Sequence, residues 1–149
     1  MSRQTFANQK ALKKSEIELG SELAPKFNDE GLIPCITVDH ISNEVLMFAW
    51  MDRQALELTL STRKATYYSR SRQKIWVKGE SSGLEQRVEQ ILVDCDQDVV
   101  QLRVSVKGEG TCHNGYRSCF YRAVKMDDPA SLEFTINSQS FSPEKVYKK

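Results

Sequence analysis

The chain has 149 residues and a formal net charge of +1, from 21 basic and 20 acidic side chains. This length predicts one domain with a single hydrophobic core, and the balanced charge argues against a nucleic-acid binder held by bulk charge. The longest apolar run, residues 45–51, is far shorter than the ~20 residues that a membrane-spanning helix needs. Polar residues 15–18 stand where a signal peptide would have its apolar core. We therefore expect a soluble, cytoplasmic protein without nucleic-acid or membrane partners.

The N-terminal part of the chain predicts a helix and a strand. Residues 15–23 predict a short helix that Ser15 caps, although Gly20 disfavours a helix. Residues 32–38 predict a strand. Because Pro34 cannot donate a ladder hydrogen bond, we expect either that this strand lies at a sheet edge or that the proline lies at the strand's start.

The middle of the chain predicts a strand, a helix and a hairpin. Residues 44–51 are dense in apolar side chains and predict a buried strand. Asp52 is a suitable N-cap for a helix over residues 53–62. The alternation of polar and apolar side chains that follows predicts a hairpin formed by residues 65–69 and 74–78.

The remaining segments predict further strands. A loop at residues 79–83, bounded by glycines, precedes a predicted strand at residues 85–93. Strict alternation makes residues 99–107 the clearest strand, and residues 116–124 are predicted to return as the last one. The tail after Met126 is polar and predicts an appendage. Together these elements predict a β-rich α+β domain with a mostly antiparallel sheet and few helices.

Three aspartates alternate with other residues in the segment 94–98. In an extended chain Asp94, Asp96 and Asp98 face one side and Cys95 faces the other. Carboxylates suit Mg²⁺ and a thiolate suits Zn²⁺, so the segment predicts two metal sites that share one strand end. On an ideal strand the first and last aspartates are about 13 Å apart, so the chain must bend or water and phosphate must complete the Mg²⁺ shell. A solvated, metal-free acidic turn is the alternative.

The other cysteines suggest a sulfur-rich metal site. Cys112 and Cys119 are close enough in sequence for one loop to bring both sulfurs to one ion, and Cys95 supplies a third. Three thiolates leave one of zinc's tetrahedral positions free for water, as in a catalytic site, and zinc lowers the pKa of that water. Cys35 lies in an apolar strand and is expected to be a small buried side chain.

Only two histidines occur in the sequence. His113 directly follows Cys112, and it is a candidate fourth zinc ligand, a general acid/base or an ordinary loop residue. Its position beside the predicted zinc ligands favours acid/base chemistry. His40 lies in a predicted turn and is expected at the surface.

Two segments are candidates for binding an anion. Arg70 and Arg72 lie in the predicted hairpin turn, and Lys78 precedes the loop at residues 79–83. Exposed backbone N–H groups, helped by Arg or Lys, can hold a phosphate, although such turns are usually only solvated. Trp76 either stacks on a base or belongs to the core.

Taken together, the motifs resemble the phosphoribosyl-AMP cyclohydrolase family of histidine biosynthesis. The resemblance extends from about residue 31 to residue 122. It rests on segments 31–34, 45–47, 69–72, 76–83, 94–98, 112–115 and 118–120.

The resemblance implies a Zn²⁺- and Mg²⁺-dependent hydrolase that opens the adenine ring of 1-(5-phosphoribosyl)-AMP between N1 and C6. It also implies an intertwined homodimer in which Cys95 of one subunit joins Cys112 and Cys119 of the other around zinc. His113 receives a proton-transfer role as a hypothesis. The Mg²⁺ ligands would be Asp94, Asp96 and Asp98. The substrate-binding residues would be Arg70, Arg72, Trp76, Lys78, Glu80, Ser81, Ser82 and Gly83.

The resemblance divides the chain into an N-terminal extension at residues 1–30, a catalytic domain at residues 31–125 and a C-terminal extension at residues 126–149. Two other functions remain open. One is a zinc-dependent amidohydrolase or deaminase that acts on another modified nucleotide. The other is a non-catalytic module stabilised by zinc, which would not require the three aspartates.

Overall fold

The computed structural model describes residues 6–108 and 110–146 of the chain. Within these residues it has eight strands and three α-helices, preceded by a 3₁₀ turn at Gln9–Ala11. In chain order they are α1 (Lys14–Leu19), β1 (Leu32–Asp39), β2 (Val45–Asp52), α2 (Arg53–Thr62), β3 (Thr66–Ser69), β4 (Lys74–Val77), β5 (Gln86–Val93), β6 (Val100–Val106), β7 (Arg122–Lys125), β8 (Asp128–Phe134) and α3 (Pro143–Val146).

Six strands form one sheet in the order β4-β3-β2-β1-β6-β5, and β7 and β8 form a separate pair. All neighbours in the large sheet are antiparallel except β1 and β6, which pair in parallel with Cys35 opposite Val100. The predicted β-rich α+β class with a mostly antiparallel sheet is thus confirmed. Among the helices of the described residues, none is both long and apolar enough to cross a membrane.

One face of the large sheet carries the hydrophobic core. Helix α2 contributes Ala55 and Leu56 to it. Its first turn is capped by Asp52, whose Oδ1 accepts a hydrogen bond of 2.8 Å from the N–H of Ala55. The predicted helix and its cap are therefore confirmed. The sheet contributes the buried side chains of Ile33, Cys35, Met47, Met51, Tyr67, Val88, Val100, Leu102 and Val104.

The opposite face of the large sheet is apolar and only partly covered. Phe48 is 48% exposed and Leu92 is 40% exposed. They share this face with Ile36, because Ile36 pairs with both Phe48 and Gln101, and Gln101 in turn pairs with Leu92. The prediction that residues 44–51 form a buried strand holds on the core face, where Met47 and Met51 are buried, and is wrong on this face, since alternate side chains of β2 point away from the core.

The predicted helix at residues 15–23 is wrong at both ends. α1 begins one residue before Ser15, and the cap is Lys13, whose backbone N–H donates to Oε1 of Glu16 at 2.9 Å. The helix ends at Gly20, where an added Cβ would lie 2.3 Å from the carbonyl oxygen of Glu16. Because glycine has no Cβ, the backbone at Gly20 can pack against the last turn of the helix as the chain leaves it.

The environment of Pro34 resolves the two predicted alternatives. β1 has neighbours on both sides, so an edge position is wrong. The ladder between β1 and β6 begins only at Cys35. Pro34 therefore lies near the start of β1, ahead of the first β6 pair, where its missing N–H removes no bond to β6.

The predicted last strand at residues 116–124 is wrong, because most of this segment forms a loop ahead of β7. The N–H of Cys119 donates to the carbonyl of Leu46 at 2.7 Å, and Oγ of Ser118 donates to the carbonyl of Val45 at 2.7 Å. These bonds attach the loop to β2 without a ladder.

The tail after Met126 is not a polar appendage. It supplies β8, which pairs with β7 and places Leu132 opposite Val124. The ring of Phe134 lies 6.0 Å from that of Tyr121, so the hairpin packs on the loop that precedes it. The predicted boundary between residues 125 and 126 falls between the two strands of this hairpin.

Candidate active site

The segment that follows β5 is a tight turn. The N–H of Gln97 donates to the carbonyl of Asp94 at 3.1 Å. Oδ1 of Asp94 accepts from the N–H groups of Asp98 at 2.9 Å and Val99 at 3.1 Å. The chain therefore bends directly after Cys95. A bend was one of the two predicted ways in which aspartates about 13 Å apart on an ideal strand could share one Mg²⁺ ion.

The turn gathers several potential metal ligands. The ligand atoms of Asp94, Cys95 and Asp96 all lie within 4.8 Å of one another. Within residues 6–108 and 110–146 this is the one group of three or more such side chains. The prediction that Cys95 faces away from the aspartates is wrong, because it assumed an extended strand where the chain turns.

The carboxylates of this turn influence one another. The hydrogen bond with Asp94, followed by burial and by Asp96, raises the pKa of Asp98 to about 6. Burial acts to raise the pKa of Asp94 as well, but hydrogen bonds from Asp98 and Val99 outweigh it and hold that pKa below its usual value. One carboxyl of the turn therefore holds its proton more strongly than an isolated aspartate.

The cysteine loop (residues 110–121) forms the second cluster. The N–H of Cys112 donates to the carbonyl of Tyr116 at 3.0 Å, and the N–H of Gly115 returns to the carbonyl of Cys112 at 2.9 Å. The thiols of Cys112 and Cys119 are close enough for Cys112 to affect the pKa of Cys119. Cys112 is 3% exposed, whereas Cys119 has an open side.

The thiol of Cys119 favours its neutral form. Partial burial, followed by the charge of Cys112 and a hydrogen bond with it, raises the pKa of Cys119 to about 12, and the ammonium of Lys78 opposes this shift. A cation beside this thiol would lower its pKa and favour the thiolate.

Lys78 is a buried cation near the two cysteines. It is 8% exposed, and its Nζ donates to the carbonyl of Thr111 at 2.7 Å. Desolvation lowers the pKa of Lys78, and the nearby Cys119 and Cys112 oppose this shift. The hydroxyl oxygen of Thr111 is buried and has no hydrogen-bond partner among the described residues. Sequence reasoning missed Thr111, for which neither spacing nor residue type gave a signal.

A cavity of about 490 Å³ opens beside Lys78. Six of the eight predicted substrate-binding residues line it, together with four residues that were not predicted. The hairpin turn and the glycine-bounded loop thus converge on one space, although neither segment alone was a specific signal. The predicted lining residues are Arg72, Trp76, Lys78, Glu80, Ser81 and Ser82, and the additional ones are Ser69, Ser71, Val77 and Gly79.

Two predicted binding residues do not line this cavity. The guanidinium of Arg70 lies over the ring of Trp50, 5.1 Å from its centroid. Gly83 closes the loop by donating its N–H to the carbonyl of Gly79 at 2.9 Å. Trp76 packs against the core, since its half-buried ring lies 5.1 Å from that of Tyr67, and it also lines the cavity. Its stacking on a base stays a prediction.

The two clusters remain separate within one chain. Cys95 groups with Asp94 and Asp96 in the turn, and no cluster in the described parts of the chain joins it to Cys112 and Cys119. His113 is exposed and directly follows Cys112 in the loop. The structure thus brings together two of the three predicted zinc ligands, and it brings the third to the predicted Mg²⁺ ligands.

Comparisons with known proteins point to one family. A family model described as phosphoribosyl-AMP cyclohydrolase matches residues 47–121. A relative of that name from Chlorobium limicola is 54% identical over 124 residues, which cover 83% of this chain and 88% of the relative. The chain belongs to the phosphoribosyl-AMP cyclohydrolase family. Another relative of that name, from Prosthecochloris aestuarii, is 55% identical with the same coverage. One from Rhodopseudomonas palustris (strain BisA53) is 47% identical over 135 residues, 89% of this chain and 92% of the relative.

The family that the motifs predicted is confirmed, and so is the enzyme that the prediction named. The donor atoms of this cyclohydrolase also fit the two metals that were predicted. The neighbouring thiols of Cys112 and Cys119 are soft donors of the kind that zinc takes. The crowded carboxylates of the turn are hard ligands whose mutual repulsion a divalent cation would relieve.

Proposed function

We propose that the chain hydrolyses the N1–C6 bond of the adenine ring of 1-(5-phosphoribosyl)-AMP, the ring-opening step of histidine biosynthesis. Family membership over most of the chain supports this activity. The observation that carries it within the molecule is the position of Lys78. This side chain lines the cavity and also interacts with the cysteine pair, so anion-binding groups and metal-ligating groups belong to one site.

The cavity supplies what a substrate with two phosphates requires. Arg72 and Lys78 offer positive charge, and the hydroxyls of Ser81 and Ser82 offer hydrogen-bond donors. The ring of Trp76 offers an aromatic surface for the purine. Mg²⁺ held by the turn aspartates would supply further charge for phosphate neutralisation.

Zinc would be held by Cys112 and Cys119 of one subunit and Cys95 of a second. It would supply Lewis acidity that makes a water molecule nucleophilic near neutral pH. The substrate carries its ribose on N1, which makes the purine cationic and C6 electrophilic. Water adds to C6, the C6–N1 bond breaks, and N1 takes up a proton. We assign that proton transfer to His113, which is exposed and follows Cys112 directly.

A homodimer accounts for two features of the single chain. Among the described residues Cys95 is not grouped with the other two cysteines, and in the proposed site a second copy would bring it to them. The outer face of the large sheet exposes Phe48 and Leu92 beside Ile36, and an exposed apolar patch of this kind is typical of an interface. The cytoplasmic location and the division into a catalytic domain with two extensions stay predictions.

The direct test is a spectrophotometric assay of ring opening with phosphoribosyl-AMP, with and without a chelator. We expect turnover in the metal-replete enzyme and its loss on chelation, with recovery when Zn²⁺ and Mg²⁺ are restored. No ring-opened product under metal-replete conditions would contradict the proposal. That result would favour an amidohydrolase or deaminase that acts on another modified nucleotide.

A further inference from the structure

Gln97 lies among the predicted Mg²⁺ ligands but points away from them. It is 5% exposed and has a left-handed backbone with φ of 58°. Its Oε1 accepts from the N–H of Ala24 at 2.8 Å, and its Nε2 donates to the carbonyls of Ile17 at 3.0 Å and Glu22 at 3.1 Å. Its own carbonyl accepts from the N–H of Lys26 at 2.8 Å. One residue thus attaches the turn to the N-terminal segment by four hydrogen bonds.

A second glutamine connects the same two segments. Nε2 of Gln9 donates to the carbonyl of Asp96 at 2.9 Å and to that of Ala24 at 3.1 Å. The N-terminal segment is itself anchored in the core by Phe6, which is 5% exposed and packs 6.0 Å from the ring of Phe27. The connection therefore runs from the core to the backbone of the turn.

The turn needs such a support for a physical reason. Its carboxylates repel one another when they are ionised, and ligand atoms of Asp94 and Asp96 lie within 4.8 Å of each other. Mg²⁺ demands near-ideal octahedral geometry, and ordering a free loop for it costs conformational entropy. A left-handed residue other than glycine also requires stabilisation by its surroundings.

We propose that residues 6–27 form a brace that preorganises the Mg²⁺-binding turn, with Gln97 as the positioning residue. This inference rests on the proposed function, since it takes the turn to be the Mg²⁺ site. The brace lies outside residues 47–121, the part that the family model matches. Gln97 acts through the backbone of the turn and does not itself coordinate the metal.

The test compares Mn²⁺ binding to the full-length, zinc-loaded protein and to its Gln97→Leu variant by electron paramagnetic resonance. Mn²⁺ takes the same oxygen ligands as Mg²⁺. We expect the dissociation constant of Mn²⁺ to rise at least tenfold, with zinc content unchanged. Hydrogen exchange at the amides of Asp98 and Val99 should become faster. In the assay, a higher Mg²⁺ concentration should restore the turnover of the variant.

A matched control separates this effect from a general loss of stability. Oγ1 of Thr59 donates to the carbonyl of Ala55 at 2.8 Å and accepts from the N–H of Thr66 at 3.1 Å, and the residue is fully buried. Thr59→Val removes these bonds in α2, outside the brace and the turn. We expect it to lower the melting temperature while Mn²⁺ affinity stays within twofold of the parent.

A milder variant guards against misfolding of Gln97→Leu. Gln9 is only half-buried, so Gln9→Leu should fold and weaken Mn²⁺ binding about threefold, roughly the effect of one neutral hydrogen bond. Unchanged Mn²⁺ affinity in both glutamine variants would overturn the brace, whatever the catalytic activity. If Asp96→Asn leaves Mn²⁺ binding unchanged, the turn is not the metal site and the inference also fails. Absence of ring opening in the parent would instead count against the proposed function.

Discussion

The turn at residues 94–98 and the cysteine loop, the two proposed metal sites, position their potential ligands in opposite ways. In the turn, Asp94 and Cys95 are exposed, and the fixed part is the backbone beneath them, which Gln97 holds from the inside. In the cysteine loop the potential ligand Cys112 is itself buried, and the loop is attached to β2 through Cys119. The turn exposes its potential ligands to the surroundings of the chain, whereas the loop exposes Cys119 and buries Cys112.

This difference has consequences for function. Soft ligands in a buried loop have few alternatives, so losing one should abolish binding of the ion. Hard ligands in an exposed turn can be replaced in part by water, so changes there should be graded. The same contrast fits the proposed homodimer, in which the exposed Cys95 of one subunit would meet Cys112 and Cys119 of the other.

The largest effect is expected for Cys112→Ala. Two remaining thiolates, one from each subunit, cannot hold zinc as three do, so zinc content should fall below half and turnover should vanish. The dimer should partly survive, because the outer sheet face is unchanged. Metal analysis, the ring-opening assay and gel filtration measure these three outcomes.

Cys35→Ala is the matched control. Cys35 is fully buried in the core, and burial raises its pKa to about 12, so its thiol stays neutral. This variant should lower the melting temperature but keep its zinc and its turnover. Full activity in Cys112→Ala would remove zinc from the mechanism.

The parts of the fold that follow from local physics could be predicted from the sequence. Asp52 and the helix after it were predictable because capping and helical periodicity act within a few residues. The strand at residues 99–107 was predictable from its alternation. The structure of residues 116–124 was not predictable, because aromatic and apolar side chains are typical of a strand, whereas most of this segment is a loop with hydrogen bonds to distant residues such as Leu46.

The candidate site shows the same limit. Cys112 and Asp96 could be predicted as candidate metal ligands from residue type alone, because thiolates and carboxylates are common metal ligands. The turn that groups Cys95 with the aspartates depends on the backbone of Gln97, whose side-chain partners lie more than seventy residues away in sequence. Such long-range support leaves no periodic signal, and Lys78 with Thr111 is a second case.

A smaller effect is expected for Lys78→Met, which keeps the length of the side chain and removes its charge. Hydrogen bonds to charged groups contribute about 1.5–3 kcal/mol, so kcat/KM should fall roughly 10- to 100-fold. Steady-state kinetics measures the loss. Lys74→Met is the control. Lys74 is exposed at the start of β4, the strand that precedes Lys78, so this change should leave kcat/KM unchanged. Unchanged kcat/KM in Lys78→Met would show that the charge of Lys78 in the cavity does not contribute to catalysis.

The same variant has a pH-dependent effect on stability. Desolvation places the pKa of Lys78 in the folded protein below its unfolded value. Its contribution to the free energy of unfolding is therefore fully present above the unfolded pKa and is lost as the pH falls through the folded one. Lys78→Met lacks this dependence, so it should be at least as stable as the parent near neutral pH in urea denaturation.

The smallest effect concerns the turn itself. In Mg²⁺-free buffer the pKa of Asp98 is raised from 3.8 to about 6. The stability that this proton contributes is present below the unfolded pKa and is lost as the pH rises through the folded one. The urea midpoint should therefore decline slightly between these pH values, and Asp98→Asn should flatten the decline.

Added Mg²⁺ should raise the midpoint more above pH 6 than below it, because the cation and the proton compete for the same carboxylates. An equal Mg²⁺ effect on both sides of pH 6 would show that the turn does not bind the ion through Asp98, and the contrast with the cysteine loop would then rest on Asp94 and Asp96 alone.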